Sequence, residues 1–292
     1  MGLPKNEAVM GARRRDAQVQ NASRALFDGS APERTAELDI LWQRFEPEFQ
    51  IHDDDHADGP FLFDAGAYKF IRFNHRAMRL LWLGSYVAWE AFSAVPQDQH
   101  AAPDWTRLTS MLTVFYDILE ASDPDTVPYP SGVPSSGVYL DGKLNPEERT
   151  AGELATIASA WALLHEFCHL QNQQDGTAAV QGEEDAVRAE ELYCDAFATK
   201  FLIERIEAYA ASTGDPAEKV HFKRQLGIYI GLFNIALLTK GFWEQSATHP
   251  AFRNRLEAVK LIFGAARNPK ADHVAELAFY ALGCVLPDAP SF

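Results

Sequence analysis

The chain is poor in cysteine and in positive charge, and both shortages limit what it can be. Its three cysteines in 292 residues, Cys168, Cys194 and Cys284, are too few and too scattered for a disulfide framework. They predict reduced thiols in a cytoplasmic protein. The 26 lysines and arginines against 41 acids give a net charge of −15. This balance argues against general binding to nucleic acid or to an anionic membrane, both of which favour basic surfaces.

Long apolar stretches are also lacking. The run 226–239 has 14 residues and carries Asn234, whereas a transmembrane helix needs about 20 apolar residues. Because it contains Gly227-x-x-x-Gly231, the run is predicted to be a buried packing helix. The arginines at 13–15 are followed by no apolar stretch, so no secretory signal is expected. We therefore expect no membrane insertion.

Apolar residues are plentiful and recur mostly at helical spacing. With 47% hydrophobic residues, the chain can bury a substantial core, and the pattern predicts a mainly α-helical fold with a minor β-sheet. Residues 1–20 are polar and predicted to be mobile, and 21–292 are predicted to form a single domain. Helices are predicted over 32–45, 64–94, 105–119, 145–170 with a break near Gly152, 183–203, 216–243, 250–263 and 272–286, and a short strand over 50–52.

Two loops stand out by composition. The segment 53–60 is rich in aspartate and contains His56, which forms an H-x₃-H pair with His52. Its glycine and proline argue against a helix, so we interpret it as a solvated acidic loop. The segment 123–145 is rich in proline and glycine, with one possible short strand over 138–140. It is either a lid or binding loop, or a surface connector without function.

The motif that organises the sequence is His165-Glu166-x-x-His169, set in an apolar helical stretch that begins at Trp161. On a helix the two histidines point the same way, one turn apart. They can bind one Zn²⁺ ion while Glu166 holds the metal-bound water and takes its proton. The alternative is a chance match in a helix with structural histidines.

A third protein ligand would leave one zinc position open for water, and Glu191 on the next predicted helix is the candidate. Asp195 lies one turn beyond it and Arg188 about one turn before it, on the same helical face. Asp195 is predicted to orient a ligand histidine, and Arg188 to reach a carboxylate on that face. The alternative is an exposed charged face stabilised by i,i+4 pairs.

These motifs together resemble the gluzincin metallopeptidases. Arg188-x-x-Glu191-x-x-x-Asp195 is similar to the second motif of the HtpX-like branch, and His249-Pro250 followed by Arg255 resembles its C-terminal motif. Asn254 stands where that pattern commonly has glutamate, and the matched segments cover only about 161–200 and 248–256. The length and organisation of the chain look closer to the phage-exclusion peptidases of the Lit type. Those are intracellular bacterial proteases that cut a translation elongation factor when a phage peptide is present.

The resemblance implies a zincin-like helical domain and a zinc-dependent endopeptidase with a protein or peptide substrate and a possible activating peptide or protein. His249, or a tyrosine such as Tyr139, is the candidate to stabilise the oxyanion. The alternative for both residues is a purely structural role. Two other functions stay open: an inactive zinc-stabilised scaffold, and a regulatory protein whose proteolysis is tightly gated.

Overall fold

A computed structural model describes residues 5–52, 61–96, 98, 100–135 and 146–292, with side chains for all of these except 5–16, 30 and 146–148. Over this part of the chain the fold is mainly α-helical with one small sheet, as predicted. The helices are α1 Lys5–Ser30, α2 Thr35–Phe45, α3 His75–Ser93, α4 Thr106–Glu120, α5 Pro146–Asp175, α6 Glu184–Ile203, α7 Ile206–Thr213, α8 Ala217–Leu238, α9 Phe252–Phe263 and α10 Pro269–Val285. The strands are β1 Glu48–His52, β2 Phe63–Ala65 and β3 Phe70–Asn74.

The sheet corrects the prediction of one helix over 64–94. The strand order is β1-β3-β2, with β1 parallel and β2 antiparallel to β3. In β3 the inward-facing Ile71 and Phe73 are buried and alternate with half-buried neighbours, which is a period of two and not the helical 3.6. The helix begins only at α3, where the Asn74 side chain caps it by accepting from the Ala77 N–H at 2.9 Å.

Helix α5 runs without the predicted break at Gly152 and continues to Asp175. A glycine in a helix interior costs only about 1 kcal/mol relative to alanine. The neighbouring Ala151, Leu154 and Ala155 are buried, and their packing outweighs that cost. The helix therefore carries both histidines of the motif on one continuous support.

Helix α8 packs along α5 through the two glycines of its apolar run. A Cβ on Gly227 would lie 2.4 Å from the Ile157 side chain, and one on Gly231 would lie 2.9 Å from Trp161. Only residues without a side chain allow this approach. The prediction of a buried packing helix is confirmed, and none of the helices searched in the described chain has the length and apolarity to cross a membrane.

The other helical predictions agree with the structure to within about five residues, except that 32–34 form a 3₁₀ turn ahead of α2 and that α1 and α7 were not predicted. The strand predicted over 50–52 is part of β1. Helix α1 covers much of the N-terminal segment. One main core cluster draws on residues from Val19 to Leu282. The acidic loop 53–60 and the possible strand 138–140 lie outside the described residues, and the division into domains stays a prediction.

Candidate metal centre

Helices α5 and α6 bring the three predicted ligands together. The Nε2 atoms of His165 and His169 are 3.2 Å apart. The carboxylate of Glu191 lies 3.4 Å from Nε2 of His165 through one oxygen and 3.3 Å from Nε2 of His169 through the other. Tetrahedral ligands about 2.1 Å from a zinc ion are themselves about 3.4 Å apart. The three spacings fit such an ion.

The hydrogen bonds behind the histidines decide which atoms face inward. Nδ1 of His165 lies 2.9 Å from Asp195, and Nδ1 of His169 lies 2.8 Å from Glu190. An ionised carboxylate only accepts, so each Nδ1 carries the proton and each Nε2 presents a lone pair. Two imidazole lone pairs and a carboxylate oxygen then converge with no donor between them. Such a set needs a cation, and its nitrogen and oxygen donors suit zinc.

The pKa values agree with this electrostatic need. Burial disfavours ionisation of Asp195, but Arg255 and His165 outweigh burial and lower its pKa. Burial also disfavours ionisation of Glu191, but its hydrogen bonds to the two histidines outweigh burial and lower its pKa. Burial lowers the pKa of His165, yet hydrogen bonds to Asp195 and Glu191 outweigh burial and raise the pKa to about 10. The negative site thus holds a proton tightly where it holds no metal ion.

Glu190 was not predicted as part of the site, and it is a second orienting carboxylate. Besides His169 it accepts from the side-chain amide of Asn172 at 3.3 Å and from the backbone N–H of Ala179 at 2.5 Å. Although burial opposes ionisation, these hydrogen bonds lower the pKa of Glu190. The carboxylate is therefore held ionised behind the ligand histidine, as outer partners of metal sites usually are.

Arg255 on α9 occupies the position that the sequence suggested for Arg188. Its guanidinium donates to both oxygens of Asp195, at 2.7 and 2.6 Å, and lies 3.9 Å from Glu191. Arg188 instead pairs with Glu184 and Asp185 and donates to the carbonyl of Ser246. The structure thus places Arg188 beside the loop between α8 and α9, apart from Glu191.

Glu166 lies beside the ligand set and against the sheet. One of its oxygens, Oε2, accepts the backbone N–H of Ala65 in β2 at 2.7 Å. Burial raises the pKa of Glu166, and the neighbouring histidines only partly offset the effect. A carboxylate whose pKa is raised toward neutrality is suited to accept and return a proton.

Of the two oxyanion candidates, His249 is among the described residues. His249 is 59% exposed, with Nε2 at 4.0 Å from Glu191. Although more than half of the side chain is exposed, partial burial of its ring lowers the pKa of His249. Tyr139 and His56 lie outside the described residues.

A cavity of about 480 Å³ opens onto these groups. Its walls include Ala65, Glu166, Glu191, His249 and Arg255. Much of the remaining lining is apolar: Phe61, Phe63, Leu119, Trp161, Ile235 and Leu238. A larger cavity of about 690 Å³ lies between α1, α5 and α8, but none of the candidate site residues lines it. Geometry therefore favours the smaller cavity as the place of chemistry.

A family model described as Peptidase U49 matches residues 71–278. The chain belongs to the peptidase U49 family. This is the Lit-type family that the organisation of the sequence resembles, and it makes the protein a peptidase. The matched range contains α5, α6 and α9, the helices that carry the ligand set, Glu166 and Arg255. No curated protein and no solved structure matches the chain.

Three features of this peptidase's site were missed at the level of sequence. The role of Glu190 was not predicted: Val187 and Cys194, which lie at helical spacing from it, are apolar and give no sign of a polar site. The contact of Ala65 with Glu166 uses a backbone donor 101 residues away, and no side-chain motif encodes it. The His-Pro…Arg resemblance did point to Arg255, but it did not indicate that Arg255 pairs with Asp195.

Proposed function

We propose that this member of the peptidase U49 family is a zinc-dependent endopeptidase whose metal ligands are His165, His169 and Glu191. The observation that carries the proposal is the convergence of two imidazole lone pairs and a carboxylate on one point, beside the half-buried Glu166 at the wall of a cavity. Three protein ligands leave one position open, which separates catalytic from structural zinc sites.

When bound there, zinc supplies Lewis acidity, which lowers the pKa of water to about 7 and polarises a peptide carbonyl. Glu166 then acts as the general base. Its Oε2 is held by the Ala65 N–H, so Oε1 accepts the proton of the attacking water. Because burial raises the pKa of the Glu166 carboxyl, this group can hold the proton until the leaving amine takes it.

The other groups orient and stabilise. Asp195 and Glu190 hold the Nδ1 protons of the two histidines, and Arg255 holds Asp195. His249 donates from Nε2 to the developing oxyanion, which either the neutral Nε2–H tautomer or the imidazolium can do.

The substrate lies along β2. This strand is at the edge of the described sheet and forms one wall of the cavity. An edge strand can hydrogen-bond an extended peptide through its backbone. Phe63 and Ala65 belong to this strand, and the Ala65 N–H already faces Glu166. An extended segment of a protein thus passes directly over the general base.

The proposed substrate is an intracellular protein in the cytoplasm, and cleavage is gated or activated by a partner, in line with the Lit-type resemblance. The sequence left open whether the loop 123–145 is a lid or binding loop or only a surface connector. Its described part packs on α3, where the Trp82 indole donates to the carbonyl of Pro134 at 2.9 Å. None of its described residues lines the cavity of about 480 Å³. Residues 136–145 lie outside the described residues, so a role of this loop as a lid stays a prediction.

The test is cleavage mapping in a bacterial lysate and on an internally quenched peptide library, comparing the wild type with Glu166→Gln. We expect the variant to keep one zinc per chain and to lose about 10²- to 10⁴-fold in turnover, because glutamine cannot accept the proton. Glu90→Gln is the matched control, since burial also raises the pKa of Glu90, on α3.

The outcomes separate the alternatives. A Glu166→Gln variant with wild-type turnover would contradict the peptidase mechanism. A wild type that holds zinc but cleaves neither peptides nor lysate proteins would favour the zinc-stabilised scaffold or a gated regulatory protein. A wild type without zinc would contradict both.

A further inference from the structure

Arg188 makes a contact that its ion pairs on α6 do not explain. Its Nη1 donates to the carbonyl of Ser246 at 2.8 Å, 58 residues along the chain and in the loop between α8 and α9. Glu184 and Asp185 hold the guanidinium from its own helix. The Arg188 side chain is only 13% exposed although both carboxylates are exposed. The arginine therefore lies against the loop and not in solvent.

Ser246 is the organising residue of that loop. Its Oγ accepts the backbone N–H groups of Thr248, at 3.3 Å, and of His249, at 2.9 Å. Its own N–H donates to the carbonyl of His249 at 2.9 Å. These bonds close a turn over 246–249, so a restraint on the Ser246 carbonyl also restrains the backbone of His249.

The ring of His249 is held by a neighbour in the same turn. The Thr248 hydroxyl lies 2.8 Å from Nδ1, and Nε2 lies 4.0 Å from the Glu191 carboxylate. When the hydroxyl donates to Nδ1, the ring proton is on Nε2, the nitrogen that faces the ligand set. A donor is then aimed at the site where the peptide oxygen gains charge.

We propose that Arg188 is a positioning residue, which acts through the turn over 246–249 to hold His249 with its Nε2–H toward the cavity. The role of His249 as oxyanion donor rests on the proposed function, whereas the structural restraint does not. Arg188 thus contributes to transition-state stabilisation without touching substrate or metal. The sequence placed Arg188 beside the metal ligands, whereas the structure places it against the loop that carries His249.

The first experiment is independent of activity. Nitrogen-15 spectra of the histidine rings report the tautomer, and His249→Gln identifies the resonance of His249. In zinc-loaded wild type we expect a single Nε2–H form. In Arg188→Ala we expect a mixture of tautomers, with amide hydrogen exchange over 244–252 at least about 10-fold faster. Arg205→Ala, which removes an arginine paired with Glu37 away from the site, is the matched control.

Unchanged spectra and unchanged exchange in Arg188→Ala would overturn the restraint whether or not the protein cleaves anything. Thr248 gives a second variant that leaves Arg188 intact. Thr248→Ser should keep the Nε2–H form and Thr248→Val should lose it, because only the hydroxyl can donate to Nδ1.

The second experiment measures turnover on a peptide selected from the quenched library. We expect Arg188→Ala to lower kcat about 10- to 100-fold with little change in KM and with zinc content unchanged. His249→Ala should lose at least as much, and the double variant no more than His249→Ala. Guanidinium ion should partly restore Arg188→Ala. A double variant that loses the product of the single effects, or a fall in zinc, would contradict positioning through His249. If the wild type cleaves nothing, the proposed function fails and the spectra still decide the restraint.

Discussion

Arg255 closes two hydrogen bonds on the carboxylate of Asp195, at 2.7 and 2.6 Å, and both side chains are buried. Asp195 connects this arginine to a candidate ligand, because its Oδ1 also accepts a hydrogen bond from Nδ1 of His165 at 2.9 Å. A residue on α9 thereby fixes the ring of a candidate ligand on α5 through a carboxylate on α6.

The first prediction concerns this buried pair. Arg255→Met should lower the free energy of unfolding by about 3 to 5 kcal/mol, because it leaves the Asp195 charge buried and uncompensated. Zinc affinity should fall as well, since His165 loses its oriented partner. Urea denaturation and metal content measure the two effects. Arg253→Met, on the exposed side of the same helix, is the control; equal unfolding midpoints for both variants would refute the prediction.

The second prediction compares adjacent glutamates. Glu191→Ala should lose zinc, because two histidines alone make a poor site. For Glu190→Ala we expect one zinc per chain at saturation but about 10- to 100-fold weaker affinity, because Glu190 accepts the hydrogen bond from Nδ1 of His169. Competition with a chromophoric chelator measures this.

Glu204→Ala, an exposed glutamate near the end of α6, is the control for these metal measurements. A zinc-free Glu190→Ala protein beside a zinc-loaded Glu191→Ala protein would reverse the assignment.

The third prediction is the pH dependence of the metal-free protein. The pKa of His165 is raised from 6.5 to about 10 by Asp195 and Glu191, against burial. A group whose pKa is higher in the folded protein than in the unfolded chain stabilises the fold fully at pH values below its unfolded-state pKa. This stabilisation is lost as the pH rises through its folded-state pKa. The melting temperature of the metal-free protein should therefore fall between about pH 6.5 and 10.

The zinc-loaded protein should not show that fall from His165, because the ion replaces the proton and binds the neutral ring. Asp195, Glu191, Glu166, His169 and Arg255 also face this ring, so His165→Gln in the metal-free protein tests the source of the effect. A fall of the same size in that variant would assign it to other groups.

The fourth prediction tests the contact between α5 and α8. Gly227→Ala should destabilise the protein by about 1 to 3 kcal/mol, because the new methyl would overlap the Ile157 side chain. Gly283→Ala on α10 has nothing within 4 Å of the new methyl. It should stabilise the protein by about 0.5 to 1 kcal/mol through helix propensity. Thermal unfolding of both variants gives the signs, and two shifts of the same sign would contradict the packing argument.

Local patterns were sufficient to predict most helices and which candidate ligands share a helical face. His165 and His169 are four residues apart on a helix, and Glu191 and Asp195 share the face of another, so their spacing on each helix is local. The helix predicted over 64–74 was wrong because Phe70, Ile71 and Phe73 fit the apolar face of a helix as well as a strand. Only pairing with residues 48–52, far along the chain, selects the strand.

The parts of the site that sequence did not predict all depend on distant contacts. Asp195 and Arg255 are 60 residues apart, and His169 and Glu190 are 21 apart. Arg188 had been placed by helical spacing alone, which cannot foresee that Ser246 offers it a closer acceptor. Spacing along one helix thus does not predict which charged groups pair between distant parts of the chain.

The hydrogen bond from Ala65 to Glu166 ties the proposed general base to the strand that borders the cavity. Strand β2 has only three residues and, in the described sheet, pairs with β3 alone. On the proposed function, a substrate that lies along β2 without displacing it would leave this N–H on Oε2 and Oε1 free for the water. A substrate that displaced β2 would break the hydrogen bond and turn Glu166, so the bond that aligns the base would also select for the backbone geometry of the substrate.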